Sequence, residues 1–242
     1  MSLKSKKSIL ITGGASGIGY EIAEKFHKEN YNVIVLDKNI EGVKKDFFKY
    51  ECDVTDVLSL KKVKEEVLSK FEKLDTLIIN AGISIRHKFS ELKVEDWNKV
   101  INTNLNGVFY TSHVFFDMMN SDNGSILMTA STNGIMGYPY YADYNASKAG
   151  VIALAKAMAL ELAPSIRVNS ICPGYVMTPM QKMEYTDEMI EEVNQKIPLK
   201  RHADPKEIAE LFFFLASDNA KFITGQNYVI DGGEICGGLA SR

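Results

Sequence analysis

The sequence predicts an α/β domain, doubly wound, with a parallel seven-stranded sheet covered by helices on both faces. Three observations predict it. Short apolar runs recur along the chain without polar alternation, as strands buried on both faces require. Stretches with helical periodicity separate them. The first run ends in a glycine turn, Thr12-Gly13-Gly14-Ala15-Ser16-Gly17-Ile18-Gly19, that opens into one of those helices. A length of 242 residues suits one such domain, 1–242, better than two.

Ser8-Ile9-Leu10-Ile11 is the first run, and the helix after the glycine turn carries Ile18, Ile22, Ala23 and Phe26 on one face. Strand, turn and helix in that order aim backbone N–H groups and a helix N-terminus at one point, which suits a pyrophosphate. Asn32-Val33-Ile34-Val35-Leu36 is the second run, closed by Asp37. A carboxylate there is placed to accept hydrogen bonds from an adenosine ribose and to repel a 2′-phosphate, which favours NAD over NADP. Lys38 beside it would neutralise a phosphate, so NADP stays open as the lesser choice. Phe47 to Glu51 is a third strand, and Thr55 or Asp56 caps a helix reaching about Phe71. Leu74 to Ile79 is the fourth, closed by Asn80-Ala81-Gly82.

Helical patterns cover Val94 to Val100 and continue through Asn104 to Met119, before a fifth strand from Ser125 to Thr129. Val151 to Leu162 extends a helix that opens at Tyr144, and Ile166 to Ile171 is the sixth strand, ended by Cys172-Pro173-Gly174. A Met-rich, acidic segment follows, Met177 to Asn194. Pro205 to Leu215 reads as a helix with Asp204 as N-cap and Pro205 at its first position. Tyr228-Val229-Ile230 is the last strand, and Gly237-Gly238 is the one stretch expected to be loose.

The bulk properties exclude several function classes. A net charge of -3 offers no basic stripe for nucleic acid and no polycationic tract for a membrane surface, the cluster Lys4, Lys6 and Lys7 being too small. No apolar run approaches a membrane span, and the N-terminal one stops after three residues, unlike a signal peptide. Cys52, Cys172 and Cys236 are odd in number and far apart, as reduced thiols in the cytoplasm would be. His27, His87, His113 and His202 show no metal-ligand spacing, so no metal is expected.

The chemistry concentrates in Ser131 to Lys148, STNGIMGYPYYADYNASK. On a helix Tyr144 and Lys148 sit at i and i+4 on one face. A phenol with an unperturbed pKa near ~10 exchanges protons poorly at neutral pH. An ammonium one turn away is expected to stabilise the phenolate and lower that pKa, giving a general acid or base. Ser131 would supply a neutral hydroxyl to hold the oxygen that gains or loses the proton.

Taken together, these stretches resemble the short-chain dehydrogenase/reductase family over essentially the whole chain. Thr12-Gly13 to Gly19 is similar to its cofactor turn, Asp53-Val54 to the pair that meets the adenine, and Asn80-Ala81-Gly82 to its strand-end motif. The family commonly has a second Asn where this chain has Ile79. The resemblance implies a Rossmann-type dinucleotide-binding and catalytic domain, with Gly13, Ser16, Gly17, Ile18, Gly19, Asp37, Asp53, Val54, Asn80, Ala81 and Gly82 against the cofactor. It adds Pro173, Gly174, Val176 and Thr178 at the nicotinamide end, and Tyr144 and Lys148 beside them. It makes Asn104 a helix-bending residue in a proton relay, Ser131, Tyr144 and Lys148 the catalytic set, and Ser131, Asn133 and Tyr144 the substrate contacts.

What the resemblance implies is hydride transfer between a nicotinamide and a secondary alcohol or ketone. Substrate choice would lie in the loop from Asn133 to Tyr141 and in a lid at about 178–200, where Met177, Met180, Met183 and Met189 suggest an adaptable apolar cover. A 3-oxoacyl-(acyl-carrier-protein) reductase is the alternative. An acidic carrier needs a basic docking patch, and residues 105–124 contain no Lys or Arg. A non-catalytic cofactor sensor or scaffold is the alternative of another class, and retention of Tyr144 and Lys148 counts against it. The resemblance also implies a homotetramer built on the helices after Asn104 and Tyr144 and on the last strand, with Phe109, Phe115 and Phe116 on one face or in the core.

Overall fold

The computed structural model describes residues 6–237. Lys4 and Gly238, named above, lie outside them. Within this range seven parallel strands form one sheet: β1 Ser8–Thr12, β2 Asn32–Asp37, β3 Phe48–Glu51, β4 Thr76–Ile79, β5 Gly124–Thr129, β6 Ile166–Pro173 and β7 Asn227–Ile230, in the order β3-β2-β1-β4-β5-β6-β7. The order reverses between β1 and β4, so the loops leaving these strands diverge and open a crevice at the carboxyl edge of the sheet.

The strands lack polar alternation because each serves two cores. Leu10, Ile34, Leu36, Leu77 and Ile126 face one layer, with α2 (Val57–Leu68), α4 (Gly107–Phe115) and α5 (Ala142–Leu162). Ile9, Ile11, Val33, Val35 and Leu127 face the other, with α1 (Gly17–Lys28) and α8 (Pro205–Ala216). Each side chain belongs to one layer and its chain neighbours to the other, the period of two that a pleated strand imposes.

The expected caps form. Asp56 accepts the N–H groups of Leu58 and Ser59 at 2.9 and 3.2 Å. Asp204 and Glu207 make a reciprocal capping box around Pro205. Two other stretches take forms that periodicity alone did not assign. Between α3 (Val94–Ile101) and α4 the chain makes a π-helical turn, Asn102–Asn106. The segment after β6 forms two short helices, α6 (Pro179–Glu184) and α7 (Asp187–Lys196). Phe115 is fully buried in the core, while Phe109 and Phe116 stay 48% and 40% exposed. No helix among the described residues is long and apolar enough to cross a membrane.

Candidate active site

The carboxyl ends of β1 to β5 and the start of α5 enclose a crevice of about 300 Å³. The glycine turn forms one wall. Gly13 and Gly17 have φ of +65° and +55°, values that side-chain-bearing residues rarely adopt. A Cβ on Gly13 would lie 2.8 Å from Ala81 Cα, so this turn packs directly on the Asn80-Ala81-Gly82 segment. Ser16 is the N-cap of α1 but makes no side-chain capping bond, and the first turn carries no acidic residue. The N–H groups there are therefore free of competing anions, which fits a phosphate.

Asp37, Asp53 and Val54 line the β2/β3 end. Asp37 accepts the N–H groups of Ala15 and Asn39, one on each carboxylate oxygen, at 3.0 and 3.2 Å. Lys38 reaches Asp53 at 2.9 Å. Burial works against the Asp53 carboxylate, but bonds from Thr55 and Lys38 overcome it and hold the group below its usual range. Asn80, Ala81 and Gly82 line the middle, where Thr12 Oγ1 accepts the N–H groups of Asn80 and Ala81 at 3.1 and 3.2 Å. Tyr144, Lys148 and Thr178 line the crevice as well, with Ser16, Gly17 and Ile18 from the turn.

A smaller cavity of about 90 Å³ adjoins it, with Ser131, Asn133 and Gly174 on its walls. Tyr144 lines both cavities. Gly134 explains how Ser131 arrives there. A Cβ on it would sit 2.7 Å from the Lys148 backbone, so the 3₁₀ turn Thr132–Gly134 rests directly on α5. Asn133 ties that turn to Asn145 at 2.7 Å. Tyr140 holds the loop before α5 in a left-handed conformation, φ +74°, braced by His87 N–H on its carbonyl at 2.9 Å and by Arg86 over its ring. Such a conformation costs about 1–3 kcal/mol and persists where surrounding contacts enforce it.

Asn104 sits fully buried in the π-helical turn. Its side chain accepts the Ile83 N–H and donates to the Ile83 carbonyl, both at 2.8 Å, and reaches Ser147 Oγ at 3.3 Å. Lys148, 3% exposed, donates to the Thr129 carbonyl at 2.8 Å. Its Nζ lies 5.6 Å from the centre of the Tyr144 ring.

In this geometry the protein's own groups do not by themselves lower the phenol. Burial pushes Tyr144 up to about 12, against a smaller pull from the Ser131 hydroxyl, and burial brings Lys148 down to about 8. Lys148 directs one N–H to the Thr129 carbonyl, and desolvation is the largest cause of both shifts.

The model of the family described as enoyl-(acyl carrier protein) reductase matches residues 13–234. The chain belongs to the short-chain dehydrogenase/reductase family. As a short-chain dehydrogenase/reductase it is an oxidoreductase that uses a nicotinamide cofactor. It is 41% identical over 239 residues to the 3-oxoacyl-[acyl-carrier-protein] reductase FabG of Thermotoga maritima, covering 94% of this chain and 97% of that one. It is 34% identical to the meso-2,3-butanediol dehydrogenase of Serratia marcescens, covering 94% of both. Its fold superimposes on ligand-free aldohexose dehydrogenase of Thermoplasma acidophilum with a TM-score of 0.92 at 30% identity, over 98% of this chain and 96% of that one.

Within this short-chain dehydrogenase/reductase, four of the residues assigned to the cofactor from sequence lie off the crevice walls. Gly19 is buried beneath the glycine turn, where a Cβ would meet the Gly13 carbonyl oxygen at 2.0 Å. Pro173 ends β6, Val176 is buried beside a bridge to Ala203, and Gly174 faces the smaller cavity. The apolar cover expected of the methionines is not what the segment provides. Met183 is 82% exposed, and of the four only Met180 lines a cavity among the described residues. Tyrosines line the smaller cavity instead. Sequence reasoning gave no role to Thr129, Gly134 and Ser147, at a strand end, in a 3₁₀ turn and on α5, positions that signal nothing until the elements are packed together.

Proposed function

We propose that the enzyme interconverts a small secondary alcohol and its ketone with NAD(H), using Tyr144 as the general acid or base. The observation that carries this reading is that Tyr144 lines both the crevice and the smaller cavity, and that Ser131 lines the latter with it. Residues from the turn to Asp37 would hold the adenosine and pyrophosphate, and Lys148 and Thr178 the nicotinamide end. When bound, the nicotinamide supplies or accepts the hydride and, oxidised, brings a positive charge beside the phenol.

The protein's own part is proton management. A phenol held near 12 keeps its proton at neutral pH and can deliver it to a ketone oxygen that is becoming an alkoxide, a much stronger base. Ser131 would hold that oxygen, and Lys148 and Asn104 the groups behind Tyr144. Asp37 supports NAD(H): both its oxygens are already oriented by backbone N–H groups, and Lys38 is matched by Asp53 rather than free for a 2′-phosphate. Helices α6 and α7 would form the lid at 178–200. We place the enzyme in the cytoplasm as a homotetramer, in keeping with the family.

Reduction of a carrier-bound 3-oxoacyl group is the second reading, favoured by the name of the 41% identical relative. The absence of Lys and Arg from residues 105–124 weighs against an acidic carrier there.

The test is a panel of ketones and a 3-oxoacyl thioester, each with NADH and with NADPH, followed by nicotinamide absorbance. We expect at least ~10-fold higher kcat/KM with NADH, consistent with differential binding at one ribose site. Tyr144→Phe should bind NADH normally and lose about 10²- to 10⁴-fold in turnover. Substantial residual turnover in that variant would remove Tyr144 from the mechanism.

A further inference from the structure

Beyond β7 the chain folds into a tight turn, residues 231–236, organised by its first side chain. Asp231 accepts the N–H groups of Gly233 and Ile235, one on each oxygen, both at 2.8 Å. Leu199 N–H reaches the Gly232 carbonyl at 3.2 Å, and a Cβ on Gly233 would meet Pro198 Cγ at 3.0 Å, so the turn lies against the chain that follows α7. No step of the chemistry above involves this turn, yet its Glu234 reaches the wall of the smaller cavity.

Tyr138 lines that cavity, and its hydroxyl donates to Glu234 Oε1 at 2.5 Å, across 96 positions of sequence. Gly174 lines it too, and a Cβ there would come within 2.6 Å of Glu234 Oε2. The carboxylate therefore rests directly on backbone that forms the wall. Tyr138 is also held from the other side. Its carbonyl accepts Nδ2 of Asn145, the residue after Tyr144, at 2.9 Å, and Asn145 Oδ1 accepts Asn133 at 2.7 Å. Asn145 thus pins the loop to α5, and Glu234 pins it to the turn after β7.

Burying this carboxylate works against stability. Desolvation pushes the Glu234 carboxyl above its usual range, against a smaller pull from the Tyr138 hydroxyl. Oε2 is cut off from solvent and has no hydrogen-bond partner among the described residues. Apolar side chains would fill the same space without desolvating a charge. What they would not do is fix a direction, as a bond from a phenol to a carboxylate does. We propose that Glu234 is a positioning residue for substrate binding: through Tyr138 it fixes the wall of the smaller cavity, and with it the place of a ketone beside Tyr144 and Ser131. Glu234 itself is on the walls of neither cavity, so its effect falls on substrate binding rather than on hydride or proton transfer. This inference rests on the oxidoreductase reading above and adds a residue to its substrate site.

In the experiment, butan-2-one and an acetoacetyl thioester are each assayed with NADH and with NADPH, and the fastest pairing is carried through the variants. Glu234→Ala and Tyr138→Phe should each raise the substrate KM at least ~10-fold, the loss of one hydrogen bond to a charged group. kcat should fall by no more than ~3-fold and the cofactor Kd should stay within ~2-fold, because substrate placement alone is lost. Glu234→Gln keeps an oxygen for the Tyr138 hydroxyl and should bring KM back to within ~3-fold of the wild type. The double variant, Glu234→Ala with Tyr138→Phe, should be no worse than either single one, since both remove the same bond. If Glu234→Ala fails to fold, Tyr138→Phe, which removes one oxygen, decides alone. An unchanged KM, effects that multiply in the double variant, a glutamine no better than alanine, or a cofactor Kd raised as much as KM would each overturn the inference while leaving the oxidoreductase reading standing. No turnover by the wild type with any pairing would overturn both.

Discussion

Tyr144 and Lys148 were legible as a pair one helical turn apart, but their spacing did not reveal which groups they would bond. Lys148 Nζ turns to the Thr129 carbonyl at 2.8 Å, a contact made by a residue 19 positions earlier. Only the pairing of β5 beside β4, with α5 packed behind, places that carbonyl. The consequence is measurable. Folded, the Lys148 amine loses its proton near pH 8; unfolded, it keeps it to 10.5. Between those values the unfolded state binds more protons, so folding stability rises with pH, by up to about 1.4 kcal/mol per unit for one proton. The cost of burying the ammonium is present in full below pH 8 and relieved by 10.5. We expect denaturant unfolding at successive pH values to show this rise in the wild type and to lose it in Lys148→Met. Parallel profiles for the two proteins would place the amine's pKa elsewhere.

At the scale of elements, the glycine turn was identified from sequence as a cofactor turn, whereas the division of labour inside it was not. Gly13 and Gly17 supply the left-handed backbone, while Gly19 is a packing glycine on which the Gly13 carbonyl rests. The Asn80 amide donates to that same carbonyl at 3.0 Å, tying α1, β1 and β4 together at one atom. A side chain at position 19 must push the whole turn outward. Gly19→Ala should therefore lower stability by about 1–3 kcal/mol, the usual cost of overpacking, and weaken dinucleotide binding with it. Calorimetric melting and NADH titration read the two effects, and an unchanged melt would show that the turn yields freely. The π-helical turn around Asn104 was anticipated only by the family resemblance, as a helix bend, and the 3₁₀ turn carried by Gly134 had no signature at all. Each is set by what it packs against: Ile83 and Ser147 in the first case, and the backbone of α5 in the second.

For the whole molecule, the sheet order explains why residues from Asp37 to Thr178 meet along one edge. It also leaves apolar side chains outside. Phe109 on α4 stacks on His113 and remains 48% exposed, and Leu160 on α5 is 84% exposed. Phe222 is fully exposed, and Val229 on the edge strand β7 is 41% exposed. Exposed apolar residues on α4, α5 and β7 suit contacts between copies, in line with the homotetramer proposed. Light scattering should give the mass of four chains, and Phe109→Glu with Leu160→Glu should reduce it; a monomer in the unsubstituted protein would refute the assembly.

The sequence by itself determined the layered architecture, the helix caps and the glycine turn, because these follow from local periodicity and from turn chemistry that needs few neighbours, while most other residues of the crevice came from the resemblance to a family. Only the tertiary structure decided the direction of the pKa shifts and the tyrosine lining where methionines were expected. Those depend on desolvation and on contacts between segments far apart in the chain, and neither has a local sequence signature.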